Sequence, residues 1–136
     1  MGAKVDKKKI LIIDDEKDFL RITAMQLKAR GYDIVAATDA VTAISVAQEE
    51  KPDLILLDIG LPAGDGFTVM ERLACLDRTV LTPVIVITGR DTSTFQEQAI
   101  KAGAMAFLRK PIDIDELVAA IQNTLGEPKE SIAQNV

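Results

Sequence analysis

An alternation constrains this chain more than any other feature. Short, near-continuous apolar runs at residues 10–13, 34–37, 54–57, 84–87 and 106–108 alternate with longer amphipathic stretches at 17–30, 39–50, 67–76, 93–102 and 113–125. A run that is apolar at every position suits a strand buried on both faces, because a strand with one wet face alternates polar and apolar residues. Five such strands, each followed by a helical stretch, read as a parallel sheet with helices on both faces. Right-handed crossovers with helices on both faces require the strand order to reverse once. The common five-strand solution is order 2-1-3-4-5, with a ligand crevice between strands 1 and 3 at their carboxyl ends.

Local signals mark the element ends. Gly31, Gly103 and Gly126 follow the last periodic residues of three helical stretches, and Pro52 breaks another. Asp39 and Asp113 stand where N-caps are expected, and Glu116, three residues after Asp113, completes a capping-box pattern. The 136 residues suggest one domain at 9–126, flanked by flexible segments at 1–8 and 127–136.

Composition removes whole classes of chemistry. The chain has no His and one Cys, Cys75. That excludes the usual zinc sites and both Ser–His and Cys–His nucleophile pairs. Cys75 lies among apolar residues and is expected to be a small core or half-buried residue. Any metal must be held by oxygen, which points to a hard ion such as Mg²⁺. Sixteen basic against 21 acidic residues, net −5, argue against direct nucleic-acid binding, and the basic N-terminus with Lys4, Lys7, Lys8 and Lys9 reads as a solvated tail or edge. No apolar run approaches the roughly 20 residues of a membrane span. No secretory h-region follows Met1, so a cytoplasmic protein is expected.

The residues that follow each apolar run now become informative. Strand 1 leads into Asp14, Asp15 and Glu16, strand 3 into Asp58, strand 4 into Thr88, and strand 5 into Arg109 and Lys110. Strand 2, the outer edge beyond strand 1, offers nothing comparable. Adjacent strands lie about 4.8 Å apart, so Asp15 and Asp58 can share one metal ion, and Thr88 can reach an oxygen held above Asp58. Lys110 is two strands from Asp58, about 10 Å, a span for a long cationic side chain. Two carboxylates 4 Å apart repel by about 4 kcal/mol at an effective dielectric of 20, so these acids call for a cation. A metal with Lys and Thr supplies the neutralisation and positioning that phosphoryl transfer requires. With no His, activated Ser or reactive Cys, the nucleophile left is a carboxylate.

With these residues in view, residues 10–125 closely resemble the receiver domains of two-component response regulators. The matching motifs are Ile12-Ile13-Asp14-Asp15-Glu16, Leu56-Leu57-Asp58, Leu61-Pro62-Ala63-Gly64-Asp65-Gly66, Ile87-Thr88-Gly89 and Lys110-Pro111. The resemblance implies a (βα)5 flavodoxin-like three-layer sandwich. It makes Asp58 the phosphoacceptor, and Asp15, Asp58 and the Gly60 carbonyl ligands of Mg²⁺ or Mn²⁺, with Asp14 acting through water. It gives Thr88 and Lys110 the phosphoryl oxygens and makes the Lys110–Pro111 peptide cis. The donor it implies is a phosphohistidine on a sensor kinase or phosphotransfer protein. The face of helix 4, strand 5 and helix 5, with Phe95, Phe107, Arg109 and Ile112, would meet an output protein or domain, or a second copy in a phosphorylation-linked homodimer. Such a domain is no conventional enzyme; it catalyses only its own phosphorylation and dephosphorylation.

Two positions depart from the family pattern. Phe107 stands where Tyr is frequent, so a switch through Thr88 and Phe107 lacks a hydroxyl; Phe107 also reads simply as an apolar packing residue. Gly60, two after the acceptor, replaces a larger side chain and leaves the phosphoryl group open, so the phosphorylated state is expected to be short-lived unless Arg90 covers it. Arg90 reads equally as a solvated loop residue. Two other classes compete. A phosphorylation-independent receiver-like interaction module predicts loss of the acceptor, acids or Lys, all kept here. A phosphatase using aspartyl phosphate needs a second acid at position 60, where Gly stands. No further domain is expected after helix 5, leaving a stand-alone receiver or a piece of a longer chain.

Overall fold

A computed structural model describes residues 7–61, 65–89 and 93–127, with the side chains of Asp65, Ser93 and Thr94 left aside. Arg90, residues 62–64, most of the segment 1–8 and nearly all of 127–136 therefore lie outside the described residues. The elements run β1 (Lys9–Ile13), α1 (Lys17–Ala29), β2 (Asp33–Ala37), α2 (Ala40–Glu50), β3 (Leu54–Asp58), α3 (Asp65–Cys75), β4 (Val84–Thr88), α4 (Ser93–Lys101), β5 (Ala106–Arg109) and α5 (Ile114–Leu125). The sheet is parallel in order β2-β1-β3-β4-β5, the order the alternation predicts.

Side-chain parity along the strands explains why each central strand is apolar throughout. Leu11, Ile13, Ile55, Leu57, Val84 and Val86 face a layer holding Ala43 and Ala47 of α2, Val69, Met70 and Leu73 of α3, and Ala99 of α4. Their neighbours Ile10, Ile12, Leu54, Leu56, Ile85 and Ile87 face the opposite layer, where Leu20 and Leu27 of α1 pack with Leu117, Val118 and Ile121 of α5. A period of two sends successive side chains to opposite sides, so both faces demand apolar residues. Leu57 is wholly buried, and truncation to Ala would cost about 2–5 kcal/mol.

Helix ends follow their local chemistry. Gly31 and Gly126 take positive φ of 96° and 71°, which a side chain would strain. Asp39 caps α2 by accepting the Thr42 N–H at 2.8 Å. Asp113 caps α5, but its carboxylate takes the Asp115 N–H at 2.9 Å, one residue earlier than the capping-box pattern with Glu116 places it. The expectation for Cys75 also fails: it is exposed. The buried positions of α3 are Gly66, Val69, Met70 and Leu73, and Cys75, two after Leu73, falls on the opposite side of the helix.

One glycine presses a helix toward the crevice. A Cβ on Gly66, in the first turn of α3, would lie 2.5 Å from the carbonyl oxygen of Ile59. Only a residue without a side chain lets α3 start this close to the backbone that follows Asp58. Phe67, next in the same turn, meets Phe95 of α4 with ring centroids 6.3 Å apart.

Candidate functional site

The carboxyl ends of β1, β3, β4 and β5 meet at the point where strand order reverses. β3 pairs with β4 through Asp58 and Ile87, and Ile59 N–H continues that ladder to the Ile87 carbonyl at 3.1 Å. Asp58, the last residue of β3, is therefore held on a paired strand rather than a free loop. It is largely buried, and its Oδ1 accepts the Gly60 N–H at 2.8 Å. Short polar side chains after a strand make such turns readily. Asp14 is wholly buried; its Oδ1 accepts the Glu16 N–H at 2.8 Å, and its own N–H reaches the Ala37 carbonyl of β2 at 3.1 Å.

Lys110 enters from the far edge. Its backbone N–H donates to the Thr88 carbonyl at 2.8 Å, and its bond to Pro111 is cis. The Lys110 Nζ lies 2.8 Å from Asp14 Oδ2 and 3.3 Å from Asp58 Oδ2, and it donates to Glu16 Oε1 in a short contact. The ammonium also lies 4.3 Å above the centre of the Phe19 ring, a favourable cation–π seat. Thr88 is fully buried next to it in β4. Beside the crevice, a cavity of about 530 Å³ is lined by Glu16, Phe19, Gly89, Lys110, Pro111 and Ile112, among others.

The electrostatics carry the tension that the acids imply. Burial pushes the Asp14 carboxyl above the usual carboxylate range, and the charge of Asp58 adds to the rise; Lys110 and the Glu16 N–H only partly offset it. Burial pulls the Lys110 ammonium down, but pairing with Asp14 and Glu16, together with the charges of Asp14 and Asp58, outweighs this and holds it above its ordinary range. Asp14 Oδ2 has the ammonium as an ion partner 2.8 Å away, yet among the described residues no donor meets it in hydrogen-bond alignment.

Carboxylate oxygens of Asp14, Glu16 and Asp58 lie within 4.8 Å of one another. All are hard oxygen donors, and such a cluster fits a hard divalent cation. Asp15 is exposed and stands outside this trio, although the sequence pairs it with Asp58. Glu16 is the residue that sequence reasoning left without a role. Of the output-face residues, Phe95, Phe107 and Ile112 are half-buried and Arg109 is exposed. Phe107 packs against the apolar layer of α2, α3 and α4.

Fold and site define a class: a doubly wound α/β protein with an acidic crevice and a half-buried lysine at its switch point. Residues 10–122 match the model of the response regulator receiver domain. The chain is 37% identical over 117 residues to the DNA-binding dual master transcriptional regulator RpaA of Synechocystis, covering 86% of this chain and 48% of that protein. Among solved structures it resembles a CheY-like receiver domain from Methanospirillum hungatei, with TM-score 0.82 and 29% identity over 89% of this chain and 95% of the other. It also resembles a response regulator from Burkholderia pseudomallei solved with a phosphorylated aspartic acid, calcium ion and citrate, with TM-score 0.79 and 30% identity over 88% and 69% of the two chains. The chain belongs to the receiver domains of two-component response regulators. It spans about half the length, or less, of the curated relatives it matches. Among the described residues no helix is long and apolar enough to cross a membrane.

Proposed function

We propose that Asp58 accepts a phosphoryl group from a phosphohistidine on a separate kinase or phosphotransfer protein, and that the domain switches partner binding in response. The observation that carries this reading is the Lys110 ammonium, drawn in from β5 to lie against both Asp14 at the end of β1 and Asp58 at the end of β3. An oxygen of the Asp58 carboxylate forms the new bond to phosphorus as the bond to the donor imidazole nitrogen breaks, and the imidazole leaves carrying a proton. Lys110 and Thr88 bind the phosphoryl oxygens. Asp14, Asp15 and Asp58, with the Gly60 carbonyl, hold Mg²⁺ or Mn²⁺, which when bound neutralises charge on the phosphoryl oxygens. The Burkholderia relative, solved with a phosphorylated aspartic acid and a calcium ion, supports an aspartate as phosphoacceptor and a divalent cation as its companion.

Thr88 and Phe107 pass the change to the face of α4, β5 and α5, where an output protein, an output domain of a longer chain or a second copy binds. The domain supplies the groups for its own phosphorylation and dephosphorylation and works in the cytoplasm. Incubation with Mg²⁺ and a small phosphodonor, followed by intact mass measurement, tests the core of this. One added phosphate in the wild type, absent in Asp58→Ala, is expected. Sustained turnover of the donor without a trapped phosphate would favour an enzyme instead.

A further inference from the structure

Glu16 stands at the N-cap of α1, yet its side chain makes no cap bond there. It reaches instead across the crevice to Lys110, 94 positions away in the chain. Among the carboxylates around that ammonium, Asp58 is the distant one at 3.3 Å, while Asp14 lies at 2.8 Å and Glu16 makes the short contact. The three also differ in exposure. The side chains of Asp14 and Asp58 are 0% and 8% exposed, and that of Glu16 is 62% exposed. Phe19, three residues after Glu16 and on the same helix, holds its ring 4.3 Å from the ammonium. Helix α1 thus presents both a carboxylate and a ring face to one cation.

We propose that Glu16 is a positioning residue that seats the Lys110 ammonium in the resting state and competes with the phosphoryl group for it. This rests on the reading of Asp58 as phosphoacceptor. A phosphoryl group carries more charge than the carboxylate it replaces and adds strong acceptor oxygens. It draws the ammonium toward Asp58. Asp14 is walled in, so Glu16 is the partner that gives way, swinging into water at small cost because it is already half solvated. Glu16 therefore lowers the affinity of the resting site for a phosphoryl-like group without touching that group.

The test uses beryllofluoride, a tetrahedral phosphoryl mimic, titrated by calorimetry at saturating Mg²⁺. Glu16→Gln, at an exposed side chain, is expected to bind it about fivefold more tightly than the wild type, the scale of one partly solvated ion pair. Asp18→Asn, which removes an equal charge from an exposed pair with Arg21 in the same helix, should change nothing. A second readout follows the Lys110 side-chain resonances by NMR. Glu16→Gln should shift them in the free protein and leave them unchanged in the beryllofluoride complex, where Glu16 has already let go. Equal affinity in the wild type and Glu16→Gln, an equal gain in Asp18→Asn, or loss of Mg²⁺ binding in Glu16→Gln each overturns the proposal, the last by making Glu16 a metal ligand. Lys110 resonances that shift in both states or in neither overturn it too. A wild type that does not bind beryllofluoride at all sinks the phosphoacceptor reading itself.

Discussion

The Lys110 ammonium lies 2.8 Å from the wholly buried Asp14 carboxylate, and the two residues directly follow strands β5 and β1, with β3 and β4 between them. This pair ties the crevice together across the sheet. Its charge balance is uneven, because one cation serves Asp14, Glu16 and Asp58. The resting site is therefore short of positive charge, and its stability should answer to pH, to Mg²⁺ and to single substitutions in predictable directions.

Removing the cation strands a buried charge. Lys110 has its folded pKa raised, so its stabilising contribution is complete below the unfolded value of 10.5 and fades only as pH rises through the folded value. At pH 7, Lys110→Met should destabilise the domain by about 3 kcal/mol, as expected when one partner of a buried pair is lost. Chemical denaturation with and without Mg²⁺ checks this. The deficit should shrink when Mg²⁺ is present, because a second cation then serves the same acids.

Asp14 follows the same direction of linkage, but its window lies far below neutral pH, so its effect at pH 7 is the reverse. Its folded pKa is raised above 3.8, chiefly by burial, so the folded state binds the proton more tightly than the unfolded chain. That contribution is present below pH 3.8 and is lost as pH rises through the folded value. Ionised Asp14 thus costs stability at neutral pH. Asp14→Asn should raise the melting midpoint at pH 7 by roughly 3 °C, the response of a domain this size to about 1 kcal/mol. The gain should disappear near pH 3. A midpoint that falls at pH 7 would show that Lys110 depends on this carboxylate more than burial opposes it.

Mg²⁺ alone should stabilise the protein. At a concentration ten times its dissociation constant the gain is about 1.4 kcal/mol. Thermal melts of the wild type and of Asp58→Asn and Asp15→Asn check it, with the gain expected to vanish in both variants. Asp15 is exposed and lies outside the closest acidic trio, so this is a sharp test of its assigned role. Retention of the gain in Asp15→Asn would pass the ligand role to another acid.

Gly66→Ala should destabilise the domain by about 1–3 kcal/mol, the usual cost of overpacking, because the new Cβ meets the Ile59 backbone at 2.5 Å. The neighbouring backbone carries Asp58, so phosphate incorporation from a small donor should slow as well. Equilibrium unfolding and intact mass time courses measure the two effects separately. Unchanged stability would mean that α3 can retreat without loss.

Much of this architecture was legible in the chain itself. The five apolar runs specified a parallel sheet; β1, β3 and β4 are buried on both faces as expected, whereas the edge strands β2 and β5 are largely half-buried or exposed, because each has a neighbour on one side only. Handedness and the need for two helical layers then narrowed the order to β2-β1-β3-β4-β5, and Gly31, Gly103, Gly126 and Asp39 marked helix ends through chemistry local to a few residues. The acids, Thr88 and Lys110 were legible as a set because topology alone brings those strand ends together. Other features depend on which way a side chain points once distant segments have packed, and no local period records that. Cys75 stands among apolar neighbours yet faces out, because helix rotation is set by Val69, Met70 and Leu73. Gly66 looks like a loop residue until Ile59 packs against it. Glu16 reads as one more acid at a helix start, and only the tertiary structure turns it from its own helix toward the Lys110 ammonium, which distant segments of the chain bring to the same crevice.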